Sequence, residues 1–112
     1  MSFGKMNQII QIAESYSVKD VDGFAAKEES ILKTLRAYKE TKNATEKWAS
    51  MATFSSATCL FHFRYLPDLE VTPDLFIISD NERYQILSVE NIRNRKMYLE
   101  VFAEKVEGST DG

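Results

Sequence analysis

The one histidine of the chain, His62, sits in the segment "LFHFRYLP" (residues 60–67), and the one cysteine, Cys59, lies three residues before it. A thiol and an imidazole this close raise three chemistries: a Cys–His nucleophile pair, a metal centre, or a side chain that reads a nucleobase. Nucleophilic catalysis needs the thiol aimed at the imidazole, with a carboxylate behind it. The segment alternates, however, so Cys59, Phe61, Phe63 and Tyr65 share one face while Thr58, Leu60, His62 and Arg64 share the other. Thiol and imidazole therefore point apart. A zinc site takes three or four ligands of Cys or His type, and the chain owns two such residues in all. His62 is accordingly predicted to be a surface residue of a strand.

The acidic residues offer no chemistry either. "DVDG" (residues 20–23) can be laid on a calcium loop by matching Gly23 to its invariant glycine, which puts Asp20, Asp22 and Glu29 at ligand positions. Val18 then occupies the first carboxylate position, and no helices flank the loop, so the segment reads as a turn. The pair Glu28–Glu29 carries nothing that marks one carboxyl for general acid work. No glycine-rich phosphate loop occurs. The residues point to a protein that is not an enzyme, with no cofactor and no metal.

Aromatic and basic residues do interleave. Phe61, Phe63, Tyr65 and Tyr84, with Arg64, Arg83, Arg93, Arg95 and Lys96, could form a stacking platform for single-stranded nucleic acid. Two observations weigh against it. The aromatics fall on the face expected to form a core, and Lys plus Arg number 14 against 17 Asp plus Glu, for a net charge of −3. Non-specific phosphate binding rests on basic surface that this balance does not supply.

The elements that must position these side chains are mostly strands. Residues 7–15 put Ile10 and Ile12 opposite Ile9. Residues 16–30 are polar, with Asp20, Asp22 and Gly23 as turn formers, and read as a long hairpin loop. Residues 31–40 alternate again, Ile31, Leu35 and Ala37 on one side and Thr34, Arg36 and Tyr38 on the other. The period then changes: Ala44, Trp48, Met51 and Ala52 recur at helical spacing, and Asn43 with Glu46 can cap the first turn, so a short helix is predicted over residues 44–52. After the His62 strand come a break at Pro67 and Pro73, two strands joined by a turn at Asp80-Asn81-Glu82, and a further turn near Arg93-Asn94-Arg95. A last strand follows, in which Met97, Leu99, Val101 and Ala103 alternate with Tyr98, Glu100, Phe102 and Glu104. This is a mainly β chain, a small antiparallel barrel or sandwich with one short α-helix and long loops. Its predicted core holds Ile10, Ile12, Leu35, Trp48, Phe61, Phe63, Tyr84, Ile86, Leu99 and Val101.

At 112 residues, 44% of them hydrophobic, the chain suits one globular domain. Residues 1–107 are assigned to it and residues 108–112 to a polar tail. A lone cysteine excludes an intrachain disulfide. The start lacks the charged, apolar and small-residue segments of a secretory signal, so a soluble protein made in the cytoplasm is expected.

The order of these segments resembles the head–tail joining (head closure, or stopper) proteins of tailed bacteriophages and prophages. The matching stretches are "DVDGF" (residues 20–24), "RAYKE" (36–40), "EKWA" (46–49), "ATFS" (52–55), "FHFRY" (61–65), "DNERYQILSVE" (80–90) and "MYLEVFAEKVE" (97–107). Together they span nearly the whole chain. Such proteins often carry Asp-Gly where this chain has Asp80-Asn81, but Asn also tolerates positive φ.

The resemblance implies a structural virion component at the head–tail connector, assembled in the host cytoplasm. It would bind below the portal and adaptor ring, close the DNA channel and receive the tail. It further implies a homo-oligomeric ring, a dodecamer if portal symmetry is followed, whose isolated subunits can be monomers. DNA would pass without specific binding. The loops that would dock or gate are residues 16–30, with Asp20, Asp22, Gly23 and Phe24, and residues 66–73, with Pro67, Asp68, Glu70 and Pro73. The alternatives to this assignment are a small-barrel binder of single-stranded nucleic acid and a neighbouring tail-completion connector.

Overall fold

The computed structural model describes residues 6–19, 21–23, 25–42, 48, 56–92 and 95–106. Six strands dominate it: β1 (Gln8–Lys19), β2 (Ala25–Thr41), β3 (Cys59–Arg64), β4 (Phe76–Ser79), β5 (Glu82–Asn91) and β6 (Tyr98–Lys105). All neighbours are antiparallel, and they close a barrel in the order β1-β2-β3-β6-β5-β4, with β4 returning to β1. Closure removes the free sheet edges that an open sheet of this size would present.

The barrel interior is filled by the inward side of the alternation. Ile10 and Ile12 of β1, Ala37 of β2, Phe61 and Phe63 of β3, Ile77 of β4, Tyr84 and Ile86 of β5, and Leu99 and Val101 of β6 make one cluster, with Leu35 half-buried against it. Phe61 and Tyr84 meet edge to face across the interior, centroids 5.3 Å apart. Two register slips help the sheet to curve. Ile12 faces Lys33 while Ala13 faces Ile31, so Leu32 is an extra residue of β2. Ile86 faces Ala103 while Ser88 faces Phe102, so Leu87 is an extra residue of β5. Bulges of this kind bend a strand and sharpen its twist.

The first bulge corrects the expected grouping of Ile31 with Leu35 and Ala37. Leu32 takes the inward place and packs on the core, and Ile31 is exposed. The second lets β5 serve two layers, since Ile86 and Val89 join the interior cluster while Leu87 packs outside it.

That outer layer overturns a larger expectation. Trp48, Ala57, Leu60 and Phe102 form a second buried cluster on the outside of the barrel wall. Leu60 and Phe102 are directly paired across β3 and β6. Consequently the opposite face of β3 is not a surface: every residue from Cys59 to Phe63 is buried, and His62 is fully so. The helix predicted over residues 44–52 lies outside the described residues, apart from Trp48, which is helical there and buried. The tail also lies outside them.

The polar stretch 16–30 is strand rather than loop. β1 runs on to Lys19 and β2 begins at Ala25, with unbroken pairing from Ala13↔Ile31 to Lys19↔Ala25. Gly23, at φ +85°, takes the left-handed conformation in the connection. The turn between β4 and β5 is a two-residue type I′ connection, Asp80 (φ +53°) and Asn81 (φ +65°). Glu82, expected in that turn, is already paired with Ser79.

Candidate functional site

At one mouth of the barrel the ends of β2 and β6 meet the starts of β3 and β5. Lys39 donates to the Tyr84 hydroxyl (3.0 Å), which donates to Glu82 Oε1 (3.1 Å), and Lys105 pairs with Glu82 Oε2 at 2.9 Å. Burial pushes Tyr84 above its ordinary pKa. Burial alone would lower Lys39, but the hydrogen bond and charge of Tyr84 outweigh it, so Lys39 is raised. The hydrogen bond from Lys105 is the largest influence holding Glu82 below the usual carboxylate range. Cys59 lies nearby, and burial pushes its thiol up to about 12. A protonated, buried thiol is neither a nucleophile nor a metal ligand at neutral pH.

His62 is stacked on Tyr98 (centroids 5.1 Å apart, planes 20° apart), against the β6 side of the wall. Cys59 and His62 are on opposite sides of the sheet, as alternation requires. Among the described residues no group of three His, Cys, Asp or Glu side chains could hold a metal ion. No helix among them is long and apolar enough to cross a membrane. The aromatics considered for a stacking platform are spent on packing: Phe61, Phe63 and Tyr84 are interior and Tyr65 packs against them, while Arg83 is engaged with Glu29.

What the fold offers instead is contact surface, and it comes in two parts. The first is the ribbon made by the outer halves of β1 and β2. Beyond Ala13, which pairs with Phe76 of β4, β1 pairs with β2 alone among the described strands. Residues 14–19 and 25–29 are all exposed. At about 3.3 Å per residue, the unsupported part of β1 stands roughly 20 Å long, in a molecule measuring 54 × 30 × 24 Å.

The ribbon root is fastened. Arg83 of β5 makes a bidentate pair with Glu29, its Nη2 2.7 Å from Oε1 and its Nη1 bonded to Oε2, and its guanidinium lies 5.4 Å from the Phe76 ring centroid. The pleat sorts the rest. Ser15, Ser17, Lys19, Ala25, Lys27 and Glu29 share the face turned to the barrel wall at the root. Glu14, Tyr16, Val18, Ala26, Glu28 and Ser30 share the other face, which continues the Ile10 and Ile12 side of β1. Of the predicted docking residues, Asp22 and Gly23 lie in the ribbon's connection and Asp22 is exposed; Asp20 and Phe24 fall outside the described residues.

The second part is the segment joining β3 to β4. These strands stand three places apart in the ring of six, so residues 66–75 must cross the barrel's other mouth. They do so as a plug. Leu66, Val71 and Leu75 are buried, and Leu69 is half-buried on the core. Lys33 holds Asp68 at 3.1 Å, and that hydrogen bond keeps Asp68 below its ordinary pKa. Gln85 donates to the carbonyls of Pro73 (2.7 Å) and Leu75 (3.1 Å). Pro67, Asp68, Glu70 and Pro73, expected on a mobile loop, are thus the exposed rim of a well-fastened lid. Beside it a groove of about 460 Å³ runs between the lid, the end of β5 and the start of β6.

Sequence reasoning missed this groove and the ribbon. A signal for the ribbon was present: "YSVK" alternates like a strand, but none of its residues is buried.

Comparison with known proteins bears on what these surfaces serve. The profile of a family described as phage head completion protein matches residues 1–106. The chain is similar to the solution structure of a protein from Shigella flexneri 2a, with TM-score 0.70, 17% identity and coverage of 99% of this chain and 100% of that one. It is also similar to a chain in the virion of a native gene transfer agent particle, with TM-score 0.60, 19% identity and coverage of 95% and 100%. At these identities both likenesses concern the fold. No curated protein matches the chain.

Proposed function

The chain belongs to the phage head completion protein family, and from that premise we propose that it is a structural component of the virion at the junction of head and tail. It binds below the portal and adaptor ring, contributes to closing the DNA channel, and presents a surface to the tail. Its work is contact and geometry rather than catalysis. It acts as a ring of identical copies that follows portal symmetry, a dodecamer where the portal has twelve subunits, and it is placed there during assembly in the host cytoplasm.

The observation that carries this reading is the exposed β1–β2 ribbon, rooted by the Glu29–Arg83 pair on a closed barrel. A long two-stranded projection with no core of its own is marginal in water unless a partner covers it. The lid residues Pro67, Asp68, Glu70 and Pro73 offer a second, shorter docking surface, and Asp22 and Gly23 stand in the ribbon's connection. A net charge of −3 suits a component past which DNA must slide without sticking.

The test replaces residues 18–26 by Asn-Gly, which leaves Ser17 facing Lys27 across a type I′ turn. Every removed residue described in the structure is exposed, so the barrel's melting temperature is expected to hold. A phage whose head completion gene carries the change is expected to yield filled heads that leak DNA or lack tails. Infectious particles at the normal titre would refute the assignment of docking to the ribbon.

A further inference from the structure

Resting on that reading, we propose that the ribbon of one copy docks in the lid groove of the next, so that the exposed face of Tyr16 and Val18 and the groove beside residues 66–71 are the two halves of one heterologous interface between copies of this chain.

The ribbon face that carries Tyr16 and Val18 holds Glu14 and Glu28 in its root half and is apolar toward its tip. Tyr16 and Val18 are 47% and 39% exposed, Ala26 stands opposite Val18, and Glu28 stands opposite Tyr16. Glu14 lies on the same face, whereas both ribbon lysines, Lys19 and Lys27, fall on the other. The occupant that fits is therefore apolar with a basic border. The chain itself carries one. The groove is floored by Leu66, Leu69, Val71, Val89 and Leu99, with Tyr65 at its side. Tyr65 N donates to the Met97 carbonyl, and Lys96 N donates to Asn91 Oδ1 at 2.9 Å, which places the 95–97 turn at the groove's edge. Arg95, Lys96 and Met97 are exposed there, Met97 at 57%. Glu70 also lines the groove, but the neighbouring acid, Asp68, is taken up by Lys33.

The ribbon does not serve its own groove. Tyr16 and Val18 are not among the residues that line it, and both stay exposed in this chain. They continue the face of β1 that carries Ile10 and Ile12, and past Ala13 that face is exposed. Donor and acceptor patches are thus different parts of one chain. Repetition of such a contact propagates head to tail and closes into a ring when the rotation allows.

Cysteine pairs test this in assembled particles. Val18→Cys and Met97→Cys are placed together in one chain, with the native Cys59 alone as background control. Both positions are exposed, and melting temperatures of the purified variants check the fold. Oxidation of particles carrying the double variant is expected to give a ladder of covalent multimers on non-reducing gels, while each single variant stays monomeric. Glu14→Lys with Glu28→Lys is expected to abolish the ladder, and adding Arg95→Glu with Lys96→Glu to restore it. No ladder, or dimers of the Val18→Cys variant alone, would overturn the proposal, the latter by showing ribbon against ribbon. If the chain is in the connector but its Val18→Cys links to a different virion protein, the pairing falls and the head-completion reading stands. If the purified chain forms the ladder but is absent from particles, that reading falls and the pairing stands.

Discussion

Removal of the Trp48 ring probes whether the outer layer belongs to the cooperative fold. Trp48 is 5% exposed, meets Phe102 edge to face at 5.3 Å, and donates from Nε1 to Glu40 Oε2 at 3.2 Å. A buried aromatic of this size removes roughly 150–250 Å² from water, which at about 25 cal/mol per Å² gives roughly 4–6 kcal/mol as an upper bound. Measured aromatic-to-alanine changes in cores run at about 3–5 kcal/mol. Trp48→Ala is therefore expected to cost about 3–5 kcal/mol, and Trp48→Phe, which keeps the edge contact but loses the donor, about 1–2 kcal/mol. At about 4 °C or more per kcal/mol for a domain of this size, the alanine variant should melt more than about 10 °C lower. Trp48 is the only tryptophan, so unfolding in urea should be followed by far-ultraviolet circular dichroism rather than by fluorescence. An unchanged midpoint for Trp48→Ala would refute the reasoning. It would mean that the layer over Leu60 and Phe102 is held by something other than this ring.

Other outcomes follow from the same contacts. The Glu29–Arg83 pair, each side chain about two-fifths exposed, should show a coupling of about 0.5–1 kcal/mol in a double-mutant cycle, shrinking in high salt; undiminished coupling at about 1 M salt would contradict this. Asn81→Ala should cost about 1 kcal/mol because it puts an alanine at φ +65°, while Asn81→Gly should change the urea midpoint little; equal losses would deny the turn assignment. Cys59 should resist alkylation at pH 8 until the protein unfolds. Its thiol is raised from an ordinary value near 9 to about 12, so its contribution to stability is complete below about pH 9 and is lost as pH climbs toward 12; rapid labelling of the folded chain would refute the burial argument.

Much of this architecture was legible in the residues, for a physical reason that also explains the gaps. Period two separates two faces, and where one is wet and the other dry it identifies the core, as with Ile10 and Ile12 against Ile9. It cannot report that a second segment has covered the outer face. That is why His62 reads as a surface residue although it is fully buried. Leu60 and Phe102, two large apolar groups paired on a face expected to meet water, were the available clue. Bulges are invisible for a related reason. One extra residue flips the parity, and neither Leu32 nor Leu87 differs in type from a regular strand residue. The ribbon was hidden by its lack of burial, since main-chain ladders form without apolar side chains. The groove depends on how residues 66–75 cross the mouth, and only the strand order dictates that crossing.

The lid has a further consequence. With large side chains filling its bore and Leu66, Val71 and Leu75 seated across one opening, a single barrel is a solid peg, impermeable along its own axis. A duplex leaving a capsid could not thread it. In the proposed ring the conduit would therefore lie between copies standing shoulder to shoulder, its width set by their number and tilt rather than by the individual strand closure.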